Sequence, residues 1–192
     1  MAFNAYLMFH TSSEIKGESS SIPEPGLVNK GAIEISDYGF GVTMPVTSSR
    51  SDGGGATVGR ANFDVFTCNK GIDTATRHLV RHCCTGKNIQ SIVLHLYRQG
   101  EATESGTIKY AMVVFQNCVI TKVGITGGGD ELPKESLEFN YGLCEYWYAE
   151  TNHATGKPKA PLGYSWSTVT NRNIPSGQDF TKFEAADAVE KG

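Results

Sequence analysis

The chain has 192 residues and a formal net charge of −3. That length makes one domain burying about 70% of its unfolded surface, so neither metal nor disulfide is needed to hold it. Its 17 Lys and Arg are scattered and form no basic stripe, which argues against nucleic acid as a partner, and no apolar run nears the roughly 20 residues of a membrane-spanning helix.

Met1 to His10 is apolar but has no basic lead and no small-residue cleavage site, so it reads as a first strand and not a secretory leader. Within it Phe3, Ala5, Leu7 and Phe9 alternate with Asn4, Tyr6 and Met8. Ser12 to Lys30, with Ser19-Ser-Ser21 and Pro23-Glu-Pro25, reads as a loop, and Ala32 to Ser36 as a short strand. Pro45 to Val58 follows neither period and holds Gly53-Gly-Gly55; a loop of that length is usually functional or disordered. Gly59 to Asn69 reads as a strand with Ala61, Phe63 and Val65 on one side.

Gly71 to Gly86 breaks the period-2 pattern and predicts one helix over about 73–85. Asp73 or Thr74 serves as its N-cap, and Gly86 as its left-handed C-terminal stop. Ile72, Ala75, Leu79 and Cys83 form its apolar stripe, with Arg77 and Arg81 opposite in water. Further strands are expected at Ile89 to Gln99, Thr107 to Phe115, Cys118 to Thr126, Leu137 to Ala149 and Gly163 to Thr170, with a turn at Gln116-Asn117. About eight strands and one helix specify a mainly β fold, a sandwich or barrel. The sequence shows no internal repeat.

Several motifs invite a chemical reading. Gly54 to Arg60 has phosphate-loop glycines, but Arg60 and Ala61 stand where Lys and Ser or Thr belong, and the segment enters a strand. His78 and His82 share a helical face, yet Leu79 occupies the position of the zincin Glu and a third ligand is missing. Cys83 and Cys84, adjacent on a helix, point about 100° apart. Gly163-Tyr-Ser-Trp-Ser has the first Gly and the Ser of a nucleophile elbow but lies in a strand, and Gly127-Gly-Gly-Asp130 reads as a turn. Glu34, Asp37, Glu135, Glu138 and Glu145 read as solvent-face carboxylates. Cys68, Cys83, Cys84, Cys118 and Cys144 are odd in number and irregularly spaced, so they read as small buried hydrophobes in a reducing compartment. No catalytic residues and no metal or other cofactor follow.

Ile15-Lys-Gly-Glu-Ser19 is similar to an opening motif of the haemolysin-coregulated protein (Hcp) family of type VI secretion. Ile33 to Val42, running into a Gly- and Ser-rich loop, resembles that family's second strand, and Phe66 to Leu79 its strand entering a sole helix through Lys, Asp and Thr. Lys122-Val123, Gly127 to Gly129 and Glu135 to Asn140 resemble its late hairpin, and Gly163-Tyr-Ser-Trp166 its last strand. The resemblance spans about residues 1–170 and implies a β-barrel of two antiparallel sheets with one flanking helix. Residues 171–192 run past the family's usual end and are expected to be a flexible polar tail.

The resemblance also implies a non-enzymatic subunit of the secretion tube. Six copies would form a ring, rings would stack inside a contractile sheath, and the tube would carry a spike and small effectors. It implies synthesis in the bacterial cytoplasm and export through the machine without a cleaved signal, with spike, sheath, baseplate and effectors as partners and no membrane insertion. A ring that stabilises effector cargo in its lumen is the alternative reading, and a small cofactor-free hydrolase a distant one lacking any nucleophile–base pair. Within this frame Pro45, Arg50, Asp52, Gly53, Gly54, Gly55 and Arg60 are the candidate self-assembly residues, because three glycines permit close backbone approach and Arg50 and Asp52 supply charge beside them.

Overall fold

A computed structural model describes residues 4–10, 14–23, 27, 30–46, 59–99, 107–129, 131–152 and 159–174. The first sheet runs, in spatial order, β12 (Arg172–Asn173), β11 (Leu162–Ser167), β10 (Leu143–Tyr148), β8 (Thr107–Gly128), β7 (Ile89–Gln99), β1 (Asn4–Phe9) and β2 (Ile33–Ile35). The second consists of β8, β9 (Glu131–Asn140), β6 (Phe66–Gly71) and β3 (Asp37–Gly39). A separate two-stranded ribbon joins β4 (Val42–Thr43) to β5 (Asn62–Phe63). Every pairing is antiparallel.

The expected barrel is not closed by one unbroken ladder. On one side the sheets share β8; on the other β2 passes into β3 through the single bent residue Ser36, whose amide donates to Asn69 O at 2.8 Å. Strand β8 is 22 residues long and continuous through Gln116-Asn117, where a turn was expected. It pairs with β10 up to Gln116 and with β7 up to Cys118, and from Val119 it pairs with β9. Asn117 adopts φ 54°, a left-handed value that Asn tolerates better than most residues, so the turn-forming residue bends the strand between sheets without reversing it. Opposite this corner, the expected strand Leu137 to Ala149 breaks at Tyr141-Gly142. The Gly142 amide donates to Gln116 O at 2.9 Å, in a gap where a Cβ would sit 3.3 Å from that of Asn117.

The core fills the space between the sheets. Leu7, Ile92, Leu94, Val113 and Phe115 face Phe66, Cys68, Leu137 and Phe139, with Phe66 stacked on Phe139 at 4.6 Å between ring centroids. The single described helix, α1 (Thr76–Thr85), lies against β8 and contributes Leu79, with Ala75 just before it. The helix starts three residues later than predicted, since Asp73 and Thr74 form the turn before it; Gly86, at φ 60°, ends it as expected. Ile72 is exposed, so the buried stripe begins at Ala75.

The outer face of the first sheet is buried as well. Tyr6, Met8 and Tyr97 pack with Ile22, Leu27 and Ala32, and beside them lie Val93, Met112, Val114 and Trp147. Burial on both faces explains why apolar residues such as Val93, Tyr97, Met112 and Val114 also occupy the outward positions of β7 and β8. Pairing of β12 with β11 carries the first sheet past Thr170, and Ile174 N donates to Ser165 O at 3.3 Å; residues 175–192 of the expected tail lie outside the described residues.

Candidate self-assembly surface

The ribbon of β4 and β5 carries the two described members of the candidate set. Pro45 and Arg60 sit on its two chains, where Gly59 N donates to Pro45 O at 2.9 Å; a Cβ on Gly59 would meet Pro45 Cγ at 2.8 Å, so glycine permits this approach. Arg50, Asp52, Gly53, Gly54 and Gly55 lie outside the described residues. The Arg60 guanidinium is engaged within the chain: Nη2 donates to Thr168 O and, at 2.8 Å, to Val169 O. It thereby ties the ribbon to the turn after β11.

Among the exposed apolar residues are two groups that were not singled out in the sequence for exposure. Val42, Met44 and Val46, spaced two apart on the ribbon, are 54%, 47% and 56% exposed. Their alternation was the available signal, but it is too short to separate from loop sequence. The second group follows the edge of the first sheet, where Leu162 is 80% exposed and Tyr164, stacked on Tyr146 at 6.2 Å, is 49% exposed. Tyr148, register partner of Leu162, is also exposed.

Lys16-Gly-Glu-Ser19 acts as a latch. Gly17 N donates to Gly31 O (2.9 Å) and Ser19 N to Ala32 O (3.2 Å), while a Cβ on Gly17 would lie 2.3 Å from Ala32 O. Only glycine fits such an approach. Glu18 Oε1 accepts from Thr74 N at 3.0 Å, and Thr74 Oγ1 donates to Lys16 O at 3.0 Å, so the motif caps the turn that starts α1.

Beneath that turn lies a buried ionic cluster. Lys70 and Glu135 have fully buried side chains and pair at 3.2 Å; Lys70 Nζ also donates to Asp73 Oδ1 (2.8 Å) and Gly71 O (2.7 Å). Thr76 Oγ1 accepts from Asp73 N and donates to Glu135 Oε2. Glu135, expected at the surface, is therefore the inward anchor of the helix, because position 135 shares the core side of β9 with Leu137 and Phe139. Glu145 is likewise buried, on the outer side of the first sheet, accepting from Gln116 Nε2 at 3.2 Å. Burial pushes its carboxyl up, and the Trp147 indole partly offsets that.

Among the described residues the chemical motifs do not assemble into a reaction site; residues 54–58 of the glycine-rich motif and Asp130 lie outside them. His82 is buried, with Nδ1 2.9 Å from His78 O, and no group of three or more His, Cys, Asp or Glu is placed to hold a metal among the described residues. Ser165 sits buried in β11 with its hydroxyl on Ile174 O, not on an exposed elbow. Cys68, Cys118 and Cys144 are buried, and burial pushes each thiol up to about 12, far from a reactive thiolate at neutral pH. Cys84 is exposed and Cys83 half-buried.

A family model described as "Type VI secretion system effector, Hcp" matches residues 6–148, from β1 through β10. The chain belongs to the Hcp family. Among solved structures, this Hcp chain is similar to one described as a type six secretion system protein: 22% identity over 90% of this chain and 100% of that one, TM-score 0.76. Hcp1 from Salmonella typhimurium gives 18% identity over 91% and 100%, TM-score 0.65. Hcp1 from the E. coli EAEC 042 pathovar gives 19% identity over 86% and 97%, TM-score 0.64. These likenesses establish the Hcp fold, and no curated protein matches the chain. The ribbon and the Lys16–Ser19 latch lie inside the matched span of the Hcp family, and the exposed edge of β11 lies beyond it.

Proposed function

We propose that this Hcp-family chain is a structural subunit of the type VI secretion tube, closing into rings of six that stack and are expelled with effectors, and that it has no catalytic role. It is made in the bacterial cytoplasm and leaves through the machine without a cleaved signal. The observation that carries the reading is the family match over residues 6–148. The surface supports it: a ring closes only through head-to-tail contacts, which need two different patches on each subunit. The ribbon stripe of Val42, Met44 and Val46 and the β11 edge of Tyr148, Leu162 and Tyr164 are two such patches on a domain whose core is otherwise filled. The loop bearing Arg50, Asp52 and Gly53 to Gly55 continues from the ribbon and belongs to the same contact in this reading.

Negative-stain micrographs of the purified protein test the proposal by showing rings or their absence. Gly53→Pro, Gly54→Pro and Arg50→Glu leave the core strands untouched and are expected to abolish tubes and export, because the change repeats at every copy. Normal tubes and normal export from all three variants would remove the loop from the contact.

A further inference from the structure

His95 stands on the outer face of the first sheet, in the middle of β7. Its neighbours follow from the register: Tyr6 of β1 on one side, Met112 of β8 on the other, and Tyr97 two residues along, with its ring nearly parallel at 16° and 6.4 Å away. The side chain is only 2% exposed, and neither ring nitrogen meets a hydrogen-bond partner among the described residues. An imidazole held this way is stable only when neutral, since a buried cation without an acceptor is costly.

The charged neighbours deepen that preference. Lys109 of β8 and His10 at the end of β1 act on His95 in the same direction as burial, and together they hold its pKa well below the ordinary histidine value, burial being the largest cause. Tyr6 and Tyr97 offer phenols, and burial keeps that of Tyr6 protonated. Glu145, the buried carboxyl on this face, is on β10, with β8 between it and β7, and is paired with Val114 in register.

What lies over Tyr6 gives this arrangement an output. The segment 14–23 runs across β1 as a strap: Tyr6 donates its hydroxyl to Ser21 O at 3.1 Å and packs with Ile22 and Leu27. The same strap carries Glu18 to Thr74 N before α1. We propose that His95 is an acid-sensitive catch for this strap, and that its protonation loosens residues 14–23 from the first sheet and frees the cap on α1. A histidine that is neutral in the folded state and protonated in the open one contributes stability at neutral pH. That contribution is lost as pH falls below its open-state pKa, about 6.5, with up to about tenfold loss in the closed-to-open ratio per pH unit.

Hydrogen exchange on the whole protein tests this, corrected for the pH dependence of intrinsic exchange. Between about pH 7.5 and about pH 5, a window that brackets histidine titration, the strap amides of Gly17 and Ser19 should lose at least tenfold in protection. Core amides of β8 and β9 should hold. In His95→Phe and His95→Gln the strap amides should keep the same protection at both values. Equal acid-induced loss in wild type and both variants, or none in wild type, would overturn the proposal. The wild-type ring resonances give a check that needs no variant. The catch requires His95 to stay neutral while the strap is protected, so ordinary titration near pH 6.5 with the strap still closed also overturns it.

Discussion

Two of the places where the chain buries ionisable groups differ in how fully those groups are paired. Under the start of α1, Lys70 meets Glu135, Asp73, Thr76 and a backbone carbonyl within hydrogen-bond reach. On the outer face of the first sheet, His95 has no partner among the described residues, and Glu145 has one bond from Gln116. A largely paired cluster, in which only Glu135 Oε1 lacks a partner among the described residues, fixes geometry: it pins the helix start to β6 and β9, the strands that form one wall of the core. A poorly satisfied group instead makes the fold conditional on its protonation state. The strap of residues 14–23 touches both places, capping the turn at Thr74 and holding Tyr6 beside His95.

The largest effect should come from breaking the Lys70–Glu135–Asp73 cluster. Lys70→Met strips the counter-charge from both Glu135 and Asp73 and should cost about 3–5 kcal/mol in urea unfolding, whereas Glu135→Leu leaves Lys70 its Asp73 partner and should cost less. The double variant should recover most of the Lys70→Met loss, since the fully buried Glu135 charge leaves with the lysine and only the partly exposed Asp73 stays behind unpaired. Equal losses in single and double variants would mean that packing, not charge pairing, governs the site. Next comes the strap itself. Gly17→Ala places a methyl into Ala32 O, and about 1–3 kcal/mol is expected, as for other overpacked positions. Near-unchanged stability would show that the strap shifts freely and does not link the two regions.

The smallest effect belongs to Glu145. Its carboxyl is held above the usual range, so the folded state binds the proton more tightly than the unfolded chain does. Its contribution is full below the unfolded value of about 4.3 and is lost as pH rises through the raised folded value. Glu145→Gln should remove that part of the pH slope and slightly raise the urea midpoint at neutral pH. An unchanged slope would place Glu145 with the satisfied groups and blunt the contrast.

The sequence disclosed the regular parts of this fold. Strand β7 was predicted residue for residue at Ile89 to Gln99, and Gly86 marked the helix end, because period-2 alternation and a left-handed glycine are local signals. Where a residue's role depends on a distant strand, the sequence misled. Gln116-Asn117 carries turn chemistry, yet the neighbouring strands hold it as a bend within β8. Glu135 looks like any charged residue of an exposed hairpin until Lys70 is brought opposite it across the β6–β9 pair. The Lys16–Ser19 motif was visible, but its task of bringing Glu18 to Thr74 spans 56 residues and has no local signature. For the assembly surface, Pro45 and Arg60 could be placed, while the exposed stripe of Val42, Met44 and Val46 resembled ordinary loop sequence.

In the proposed function this domain repeats around a ring. Size-exclusion chromatography with multi-angle light scattering measures that directly on the purified full chain. A ring of about six copies of the 20.7 kDa chain should elute near 124 kDa (six times 20.7), stable on dilution. A monomer of 20.7 kDa, unchanged across concentrations, would contradict it.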